Sequence, residues 1–417
     1  MIKGLSRTTI MSLIGLVLIS RIILFFTGYV GTNLFAAYTE PPVYEQQSPG
    51  VVPKTAMKLP VRLEDMRTPN LKDFVKFDSF AYLNIAANGY DRYRIDDPHP
   101  PANWVFFPLY PMLLSAADHV VSWFGSIDLA ILGGILSNLF FLLALFYVYG
   151  ICKQQQLDER QSRTVILLML LFPTSLFYSL PYTESLFLLL SAASLYYAAD
   201  RRYALAFIAA GLSTVTRVPG FVNLFFVVGT VLFTEGIPIT RHHVRWVLYS
   251  LLALVPMGAY LFYMKWQTGD WLAPFHEQSQ WYRATSLPFT SYIHYFKKPY
   301  FMAPGGWDNG FLAFVMSTAV FLVYLIYLIF QANRLFRQPK QLLFWVYGAL
   351  LIVIPFSSQP WYLASVVRYM MVVIPFYIYL VQLTEKRENI RFAYQLLFAA
   401  ILIITTIGFF NDYYFMA

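Results

Sequence analysis

The sequence predicts an all-α, polytopic membrane protein with about eleven transmembrane helices. Of its 417 residues, 58% are hydrophobic and only 12% are charged, whereas about a quarter of the residues in soluble domains are charged. The apolar runs are much too long to be the strands of a membrane barrel. Aromatic residues make up 19% of the chain, which suits belts at both membrane surfaces and a large surface for a lipid or a sugar.

Hydropathy places the spans along a single domain, 1–417. The first, about 8–30, is longer than the core of a cleavable signal peptide, so we expect a retained helix with a cytoplasmic N-terminus. A proline-broken segment at about 105–123 is expected to form a re-entrant or interfacial helix. The other ten spans are predicted at about 128–150, 164–180, 182–199, 203–216, 219–234, 246–264, 311–331, 342–357, 362–382 and 391–410.

Lysine and arginine are concentrated in alternate short connections, at 152–163, 199–202, 240–245, 332–340 and 384–391. If the N-terminus is cytoplasmic, alternation of the spans puts all five connections in the cytoplasm, as the positive-inside rule requires. The longer loops 31–104 and 265–310 then lie on the outer side. The net charge of +8 is explained by this distribution, so no nucleic-acid partner is predicted.

Cys152 is the only cysteine, which excludes an intrachain disulfide. This lone cysteine and the short connections favour a prokaryotic cell membrane, with the two long outer loops facing the periplasm or the exterior. The lumen of the endoplasmic reticulum is the alternative.

Asp78 stands at the head of an amphipathic run in the first outer loop. The apolar residues after it mix three- and four-residue spacings, which is typical of a short helix lying along an interface. Asp78 and Ser79 then occupy the N-cap region of that helix, and capping alone is one interpretation of the carboxylate. The alternative is a catalytic acid at the membrane surface.

Three arginines lie in predicted spans or at their outer ends: Arg21, Arg217 and Arg368. All three fall in the outer half of the bilayer, where an arginine usually faces a polar cavity or a partner. The alternative interpretation for each arginine is that its side chain extends to the lipid headgroups and has no further role. Because guanidinium binds phosphate in a bidentate way, the three together indicate a site for an anionic lipid head.

Further polar residues have more than one interpretation. Glu184 starts a helix after Thr183, which suits either a capped first turn or a contact with sugar or partner. The run with Asp96, Asp97 and His99 could hold a divalent cation or form a solvated turn. In the second outer loop, three residues are expected to line a cleft: His276, Glu277 and Asp308.

Short motifs between residues 77 and 369 occur in the order known from one enzyme family. They are Phe77-Asp78-Ser79, Tyr82-Leu83, Ile85-Ala86, Gly89-Tyr90, the run Phe106 to Pro111, Phe172-Pro173 with Ser175 and Phe177, the run Tyr182 to Phe187, Thr216-Arg217 with Gly220, and Ser365 with Arg368-Tyr369. The chain thereby resembles the PIG-V-like mannosyltransferases, the group that includes the enzyme adding the second mannose to glycosylphosphatidylinositol anchors. Two departures are Phe77, where the family more often has Trp, and a long insert at 31–76.

The resemblance implies a GT-C glycosyltransferase that uses a sugar linked to polyprenyl phosphate. It implies Asp78 as the catalytic residue, and we predict that Arg217, Arg368 and Arg21 bind the donor phosphate. The predicted substrate contacts are motif residues: Ser79, Tyr82, Tyr110, Tyr182, Glu184 and Tyr369. No metal ligand and no cofactor is predicted, because the departing phosphate is already a stable anion.

The resulting hypothesis is transfer of a mannosyl residue from polyprenyl-phosphate-mannose to a hydroxyl of a lipid-linked or glycan acceptor. Asp78 acts as general base on the outer face, and the anomeric carbon is inverted. One alternative keeps the class and changes the donor sugar or uses a protein acceptor. A transporter or flippase for lipid-linked sugars would place charged or broken helices near the bilayer midplane. An inactive scaffold subunit is disfavoured by Asp78 within its motif.

Overall fold

The computed structural model describes residues 5–35, 66–68, 70–236, 241–281, 283–301, 309–357, 362–363 and 365–413. Within these ranges all regular structure is helical, as predicted. The helices are α1 Arg7–Leu34, α2 Leu71–Phe74, α3 Asp78–Asn88, α4 Leu109–Val121, α5 Leu129–Gln154, α6 Glu159–Leu171, α7 Glu184–Ala199, α8 Tyr203–Thr214, α9 Gly220–Glu235, α10 Arg241–Ala253, α11 Val255–Thr268, α12 Ala273–His276, α13 Thr290–Lys297, α14 Gly310–Arg337, α15 Pro339–Val353, α16 Val366–Met370, α17 Ile374–Leu383 and α18 Glu388–Phe410.

Six helical segments of the described chain are long and apolar enough to cross a bilayer. They are Arg7–Leu34, Leu129–Gln154, Val244–Thr268, Gly310–Arg337, Pro339–Ser357 and Glu388–Phe410. Four shorter apolar helices accompany them: Glu184–Ala199, Tyr203–Thr214, Gly220–Glu235 and Ile374–Leu383. The chain is therefore an integral membrane protein, and the count of eleven spans stays a prediction.

Two segments predicted as continuous spans are interrupted. The segment predicted at 164–180 is helical only up to Leu171, and a 3₁₀ turn follows at Ser175–Ser179. Pro173 explains this break, because a proline disfavours helical geometry in the residue before it. The segment predicted at 362–382 is divided into α16 and α17, and Pro375 stands in the first turn of α17. Both interruptions place backbone turns beside the candidate site.

The core lies where α5, α7, α8 and α9 pack in sequence, while α1 packs against α18. Large aromatic side chains fill it: the Phe141 and Tyr178 rings stack with centroids 4.2 Å apart, and Phe172 meets the Tyr377 ring edge-on at 5.7 Å. In a bilayer, where lipid is as apolar as leucine, such close packing is what holds helices together. The aromatic fraction noted in the sequence is therefore largely structural.

The start of α9 lies unusually close to α8. A Cβ atom at Gly220 would overlap the backbone oxygen of Ser213, so this glycine of the Thr-Arg-x-x-Gly motif is required by packing. The buried Asn223 amide donates hydrogen bonds to the hydroxyls of Ser213 and Ser191, each at 2.9 Å. These contacts fix the α8–α9 turn that carries Arg217.

The two ends of the bundle differ in character. Asp78, Glu184, Arg217 and Arg368, all predicted to lie in the outer half of the membrane or in the outer loops, meet at one end. Two of the basic connections are joined away from this site, where Arg160 pairs with Glu388 at 2.5 Å. The orientation of the helices across the membrane stays a prediction. Most of the insert at 31–76 lies outside the described residues.

Candidate active site

Asp78 is the first residue of α3, and its carboxylate is turned towards Arg368. The N-cap position belongs to Phe77, with φ 51°, and the helix has no side-chain capping bond. The N-cap interpretation of Asp78 is therefore wrong: Oδ2 accepts a hydrogen bond from Arg368 Nη2 at 2.8 Å instead. A charge-assisted bond to guanidinium is stronger than a bond to a neutral backbone amide. The Asp78 side chain remains 21% exposed, so an incoming group can reach it.

Arg368 lies in the short helix α16 and is almost completely buried, with 2% of its side chain exposed. Its guanidinium carbon lies 5.3 Å from each of the ring centres of Phe177, Tyr182 and Tyr369. Aromatic faces stabilise a cation electrostatically where water is absent. The preceding Ser365 adopts φ 59°, an uncommon conformation for a residue with a side chain. Such backbone geometry is frequent at functional sites.

Glu184 bridges two arginines. Its Oε1 lies 2.5 Å from Arg217 Nη1 and 3.4 Å from Arg368 Nε, and its side chain is 1% exposed. Thr183 stands at the N-cap position of α7 but forms no side-chain capping bond; its hydroxyl lies 3.4 Å from both Arg217 Nη1 and the Tyr82 hydroxyl. The expected cap by Thr183 is therefore wrong. Asp78, Arg368, Glu184 and Arg217 form one chain of alternating charges.

Arg217 completes this chain from the turn between α8 and α9. Its guanidinium carbon lies 4.6 Å from the centre of the Tyr369 ring, and 16% of the side chain is exposed. Tyr369 thus has a guanidinium near its face from Arg217 and another from its neighbour Arg368. The two arginines and the tyrosine form one compact polar surface.

The electrostatic balance of the site favours an anion. The carboxylates of Asp78 and Glu184 offset the charges of Arg368 and Arg217, and a third guanidinium, Arg283, acts on Asp78. Burial alone would raise the pKa of Asp78, but Arg368, Arg283 and Arg217 together outweigh it and hold that pKa below its usual value. Arg283 was missed in the sequence, where it follows an aromatic pair and belongs to no recognisable spacing.

Buried polar atoms in the site are left without hydrogen bonds to the described residues. They include Nε and Nη1 of Arg368 and Oε2 of Glu184. Leaving a buried donor of a charged group without a hydrogen bond costs free energy. Nη1 of Arg368 has no acceptor among the described residues, and Nε has only the 3.4 Å contact with Glu184. Beside a partly open carboxylate, such guanidinium nitrogens fit an anionic ligand better than a purely structural role.

Arg21 is placed differently from the other two arginines. Its Nη1 donates to the Ser175 backbone oxygen at 3.1 Å and to the Ser179 hydroxyl at 2.8 Å, and its guanidinium lies over the Phe141 ring at 5.2 Å. Within the described chain no contact joins it to Asp78 or Glu184. Arg21 holds the 3₁₀ turn from one side, while Phe177 of the same turn contacts Arg368.

The other predicted substrate contacts are buried around the charged chain. The Tyr82 ring meets the rings of Tyr110 and Tyr182 edge-on, with centroids 5.6 and 6.5 Å apart. Tyr110 donates to the backbone oxygen of Gly133 at 3.1 Å, and Ser79 is fully buried. These residues form the wall of the site behind Asp78. Their role in substrate contact stays a prediction.

The run with Asp96, Asp97 and His99 does not converge on one point. His99 stacks on the Tyr93 ring at 5.5 Å and its Nδ1 lies 3.9 Å from Glu277 Oε1, while the two aspartates are exposed. In the described ranges no group of three or more His, Cys, Asp or Glu residues could hold a metal ion. His276 pairs with Asp270 at 2.6 Å, and Asp308 lies outside the described residues.

Comparison with known families identifies the class of this protein. The profile described as "Mannosyltransferase (PIG-V)" matches residues 12–294, which include Asp78, Glu184, Arg217 and Arg283. The chain belongs to this mannosyltransferase family. It is therefore a membrane glycosyltransferase, as the motifs indicated. No curated protein matches the chain.

Solved structures give a distant likeness. ArnT from Cupriavidus metallidurans bound to undecaprenyl phosphate has a TM-score of 0.46 and 11% identity, over 96% of this chain and 76% of that one. The oligosaccharyltransferase AglB from Archaeoglobus fulgidus, in complex with an inhibitory peptide and a dolichol-phosphate, has a TM-score of 0.48 and 12% identity, over 96% and 56%. The chain spans about half the length of the archaeal enzyme. Because these TM-scores lie below 0.5, the family assignment depends on the sequence match.

Proposed function

We propose that the protein transfers a mannosyl residue from polyprenyl-phosphate-mannose to a hydroxyl group of a lipid-linked or glycan acceptor. The observation that carries this proposal is the Asp78–Arg368–Glu184–Arg217 chain, in which the buried Nη1 of Arg368 bonds to no described residue. Membership of the mannosyltransferase family favours transfer over transport of the same lipid. The identities of the donor sugar and of its lipid carrier are the parts of this assignment that we propose.

In the proposed reaction, the acceptor oxygen attacks the anomeric carbon while its proton passes to Asp78. The bond between that carbon and the phosphate oxygen breaks, and polyprenyl phosphate leaves with the electron pair. Arg368 and Arg217 stabilise the charge that grows on the phosphate. One carboxylate acting in a single displacement inverts the configuration at the anomeric carbon, by analogy with inverting glycosidases.

The ion pair between Asp78 and Arg368 has a consequence for this mechanism. A carboxylate bound to guanidinium is a weak base, and the pKa of Asp78 is lowered accordingly. A donor phosphate that takes the Arg368 donors releases Asp78, and burial then acts to raise its pKa. Donor binding would in this way prepare the base for the acceptor. The partial exposure of Asp78 leaves it room to turn.

We place the active site on the outer face of the membrane, in a periplasm or at a cell exterior. The cytoplasmic assignment of the basic connections supports this orientation. The lone cysteine supports a prokaryotic membrane. Membrane lipids surround the helices, and the acceptor reaches Asp78 from the outer loops.

A donor screen tests the proposal directly. Purified protein in detergent receives polyprenyl phosphate carrying radiolabelled mannose, glucose or arabinose, or labelled GDP-mannose, with a total membrane lipid extract as acceptor. We expect transfer from polyprenyl-phosphate-mannose alone, to a product of inverted configuration. Transfer from the nucleotide sugar, or from a different lipid-linked sugar, would overturn the donor assignment. Movement of intact donor across a vesicle membrane without new product would instead indicate a transporter.

Chelation is expected to leave the rate unchanged. The phosphate is a stable leaving anion, and the guanidinium groups already offset its charge. The measurement is mannosyl transfer before and after dialysis against EDTA. A loss that Mn²⁺ or Mg²⁺ restores would contradict this expectation and would direct attention to Asp96, Asp97 and His99.

A further inference from the structure

We infer that Lys76 is a positioning residue that fastens the segment carrying Asp78 to the C-terminal end of α18. This inference rests on the proposed function, because it concerns the orientation of the proposed base. Lys76 belongs to no motif of the sequence and stands two residues before Asp78. Its side chain is 9% exposed.

The Lys76 ammonium is satisfied by the end of α18. Its Nζ donates to the backbone oxygen of Phe409 at 2.6 Å and to Asp412 Oδ1 at 2.6 Å, and it lies 5.1 Å from the centre of the Phe409 ring. The last carbonyls of a helix carry partial negative charge, which favours a cation there. A buried ammonium must keep its partners, because an unpaired charge is costly to bury. These contacts therefore tie residue 76 to one location.

The backbone of Lys76 is joined to the opposite side of the site. Its carbonyl oxygen accepts the Tyr182 hydroxyl at 2.7 Å and the backbone N–H of Ser79 at 3.2 Å. Tyr182 in turn contacts the guanidinium of Arg368, the partner of Asp78. One residue thus connects the end of α18, the start of α3 and the aromatic surroundings of Arg368.

Phe77 explains why such a fastening matters. It adopts φ 51° between Lys76 and Asp78, a conformation that a residue with a Cβ rarely takes unless its neighbours are held. Lys76 holds the chain before this residue, and the Arg368 pair holds the chain after it. Without the ammonium contacts, the 76–78 backbone is free to relax and Asp78 leaves its position beside Arg368.

Three variants test the inference: Lys76→Met, Lys76→Arg and, as a matched control, Lys297→Met, which removes an exposed lysine of the second outer loop. We expect Lys76→Met to lower kcat about 10- to 100-fold with the KM for the donor unchanged. The acid limb of kcat/KM should move to higher pH as Asp78 loses its guanidinium. Lys76→Arg should recover part of kcat, and Lys297→Met should match the wild type.

Hydrogen–deuterium exchange gives a readout that does not depend on activity. Amides of 76–88 should exchange faster in Lys76→Met than in the wild type, with no change in Lys297→Met. Exchange of these amides that is unchanged in Lys76→Met would overturn the inference. So would a fall in both kcat and melting temperature of Lys76→Met while the acid limb of its kcat/KM profile stays at the wild-type pH. If the wild type transferred no mannose, the proposed function would fail, yet the exchange result would still decide whether Lys76 fastens this segment.

Discussion

Asp78→Asn is expected to abolish mannosyl transfer while leaving the fold intact. The amide is similar in size and can still accept a hydrogen bond from Arg368, but it cannot take the proton of the acceptor hydroxyl. General-base catalysis contributes about 10²- to 10⁴-fold, so we expect a loss of kcat in that range. Donor affinity should change little or improve, because Arg368 no longer pairs with a negative carboxylate. Asp118→Asn on α4 is the matched control.

The pH dependence of transfer tests the same assignment. The pKa of Asp78 lies below its usual value in the free protein, since Arg368, Arg283 and Arg217 outweigh the effect of burial. The carboxylate is thus ionised at neutral pH, and kcat/KM should fall only in strong acid, as the pH drops through that lowered pKa. Once donor phosphate occupies Arg368, the limb of kcat should lie at higher pH than that of kcat/KM. Coincident limbs, or a wild-type profile retained by Asp78→Asn, would remove Asp78 as the base.

The sequence was informative about the members of the site because the arginines broke a local rule and the acids stood in motifs on the same side. Arg217 and Arg368 are charges where hydrocarbon is expected, and Asp78 and Glu184 are acids at helix starts facing the same side. Depth in the membrane followed from their distance to the loops. The contacts between these residues could not be predicted in this way, because residues at the same depth can lie on any side of the helix bundle.

Arg21 illustrates the limit of that reasoning. It shares the predicted outer layer with Arg217 and Arg368, yet in the structure it donates hydrogen bonds to Ser175 and Ser179 and contacts neither acid of the site. Hydropathy predicts how deep a residue lies in the membrane, but it does not predict which neighbouring helix the side chain faces. Only the packing of α1 against α5 and α18 decides which side Arg21 faces.

Other features lacked any local signal. Lys76 looked like an ordinary loop lysine, since its partners Phe409 and Asp412 lie more than three hundred residues away in the chain. The break between α16 and α17 was hidden because a hydropathy window averages over Pro375. In the sequence Glu184 was interpreted as part of a helix cap. Its contacts with two arginines depend on α7, α16 and the α8–α9 turn meeting at one place.

Arg368→Lys is expected to weaken donor binding strongly and acceptor binding little. Lysine keeps a positive charge beside Asp78 and Glu184, so the buried acids retain a cation and the protein should fold. It loses the planar fork that binds phosphate in a bidentate way. Each charge-assisted hydrogen bond contributes about 1.5–3 kcal/mol, so we expect affinity for the lipid phosphate to fall at least about tenfold. Polyprenyl phosphate without sugar is the probe, titrated by calorimetry.

Arg391→Lys is the control, because Arg391 is also buried but pairs with Glu388 at the other end of the bundle. It should leave polyprenyl phosphate binding unchanged. Arg368→Ala would remove the ion-pair partner of Asp78 and leave Glu184 with Arg217 alone, so it should also lower the melting temperature. An affinity for polyprenyl phosphate that is the same in Arg368→Lys and the wild type would contradict the phosphate assignment. Asp78 and Arg368 would then be a structural ion pair, and the donor would have to bind elsewhere.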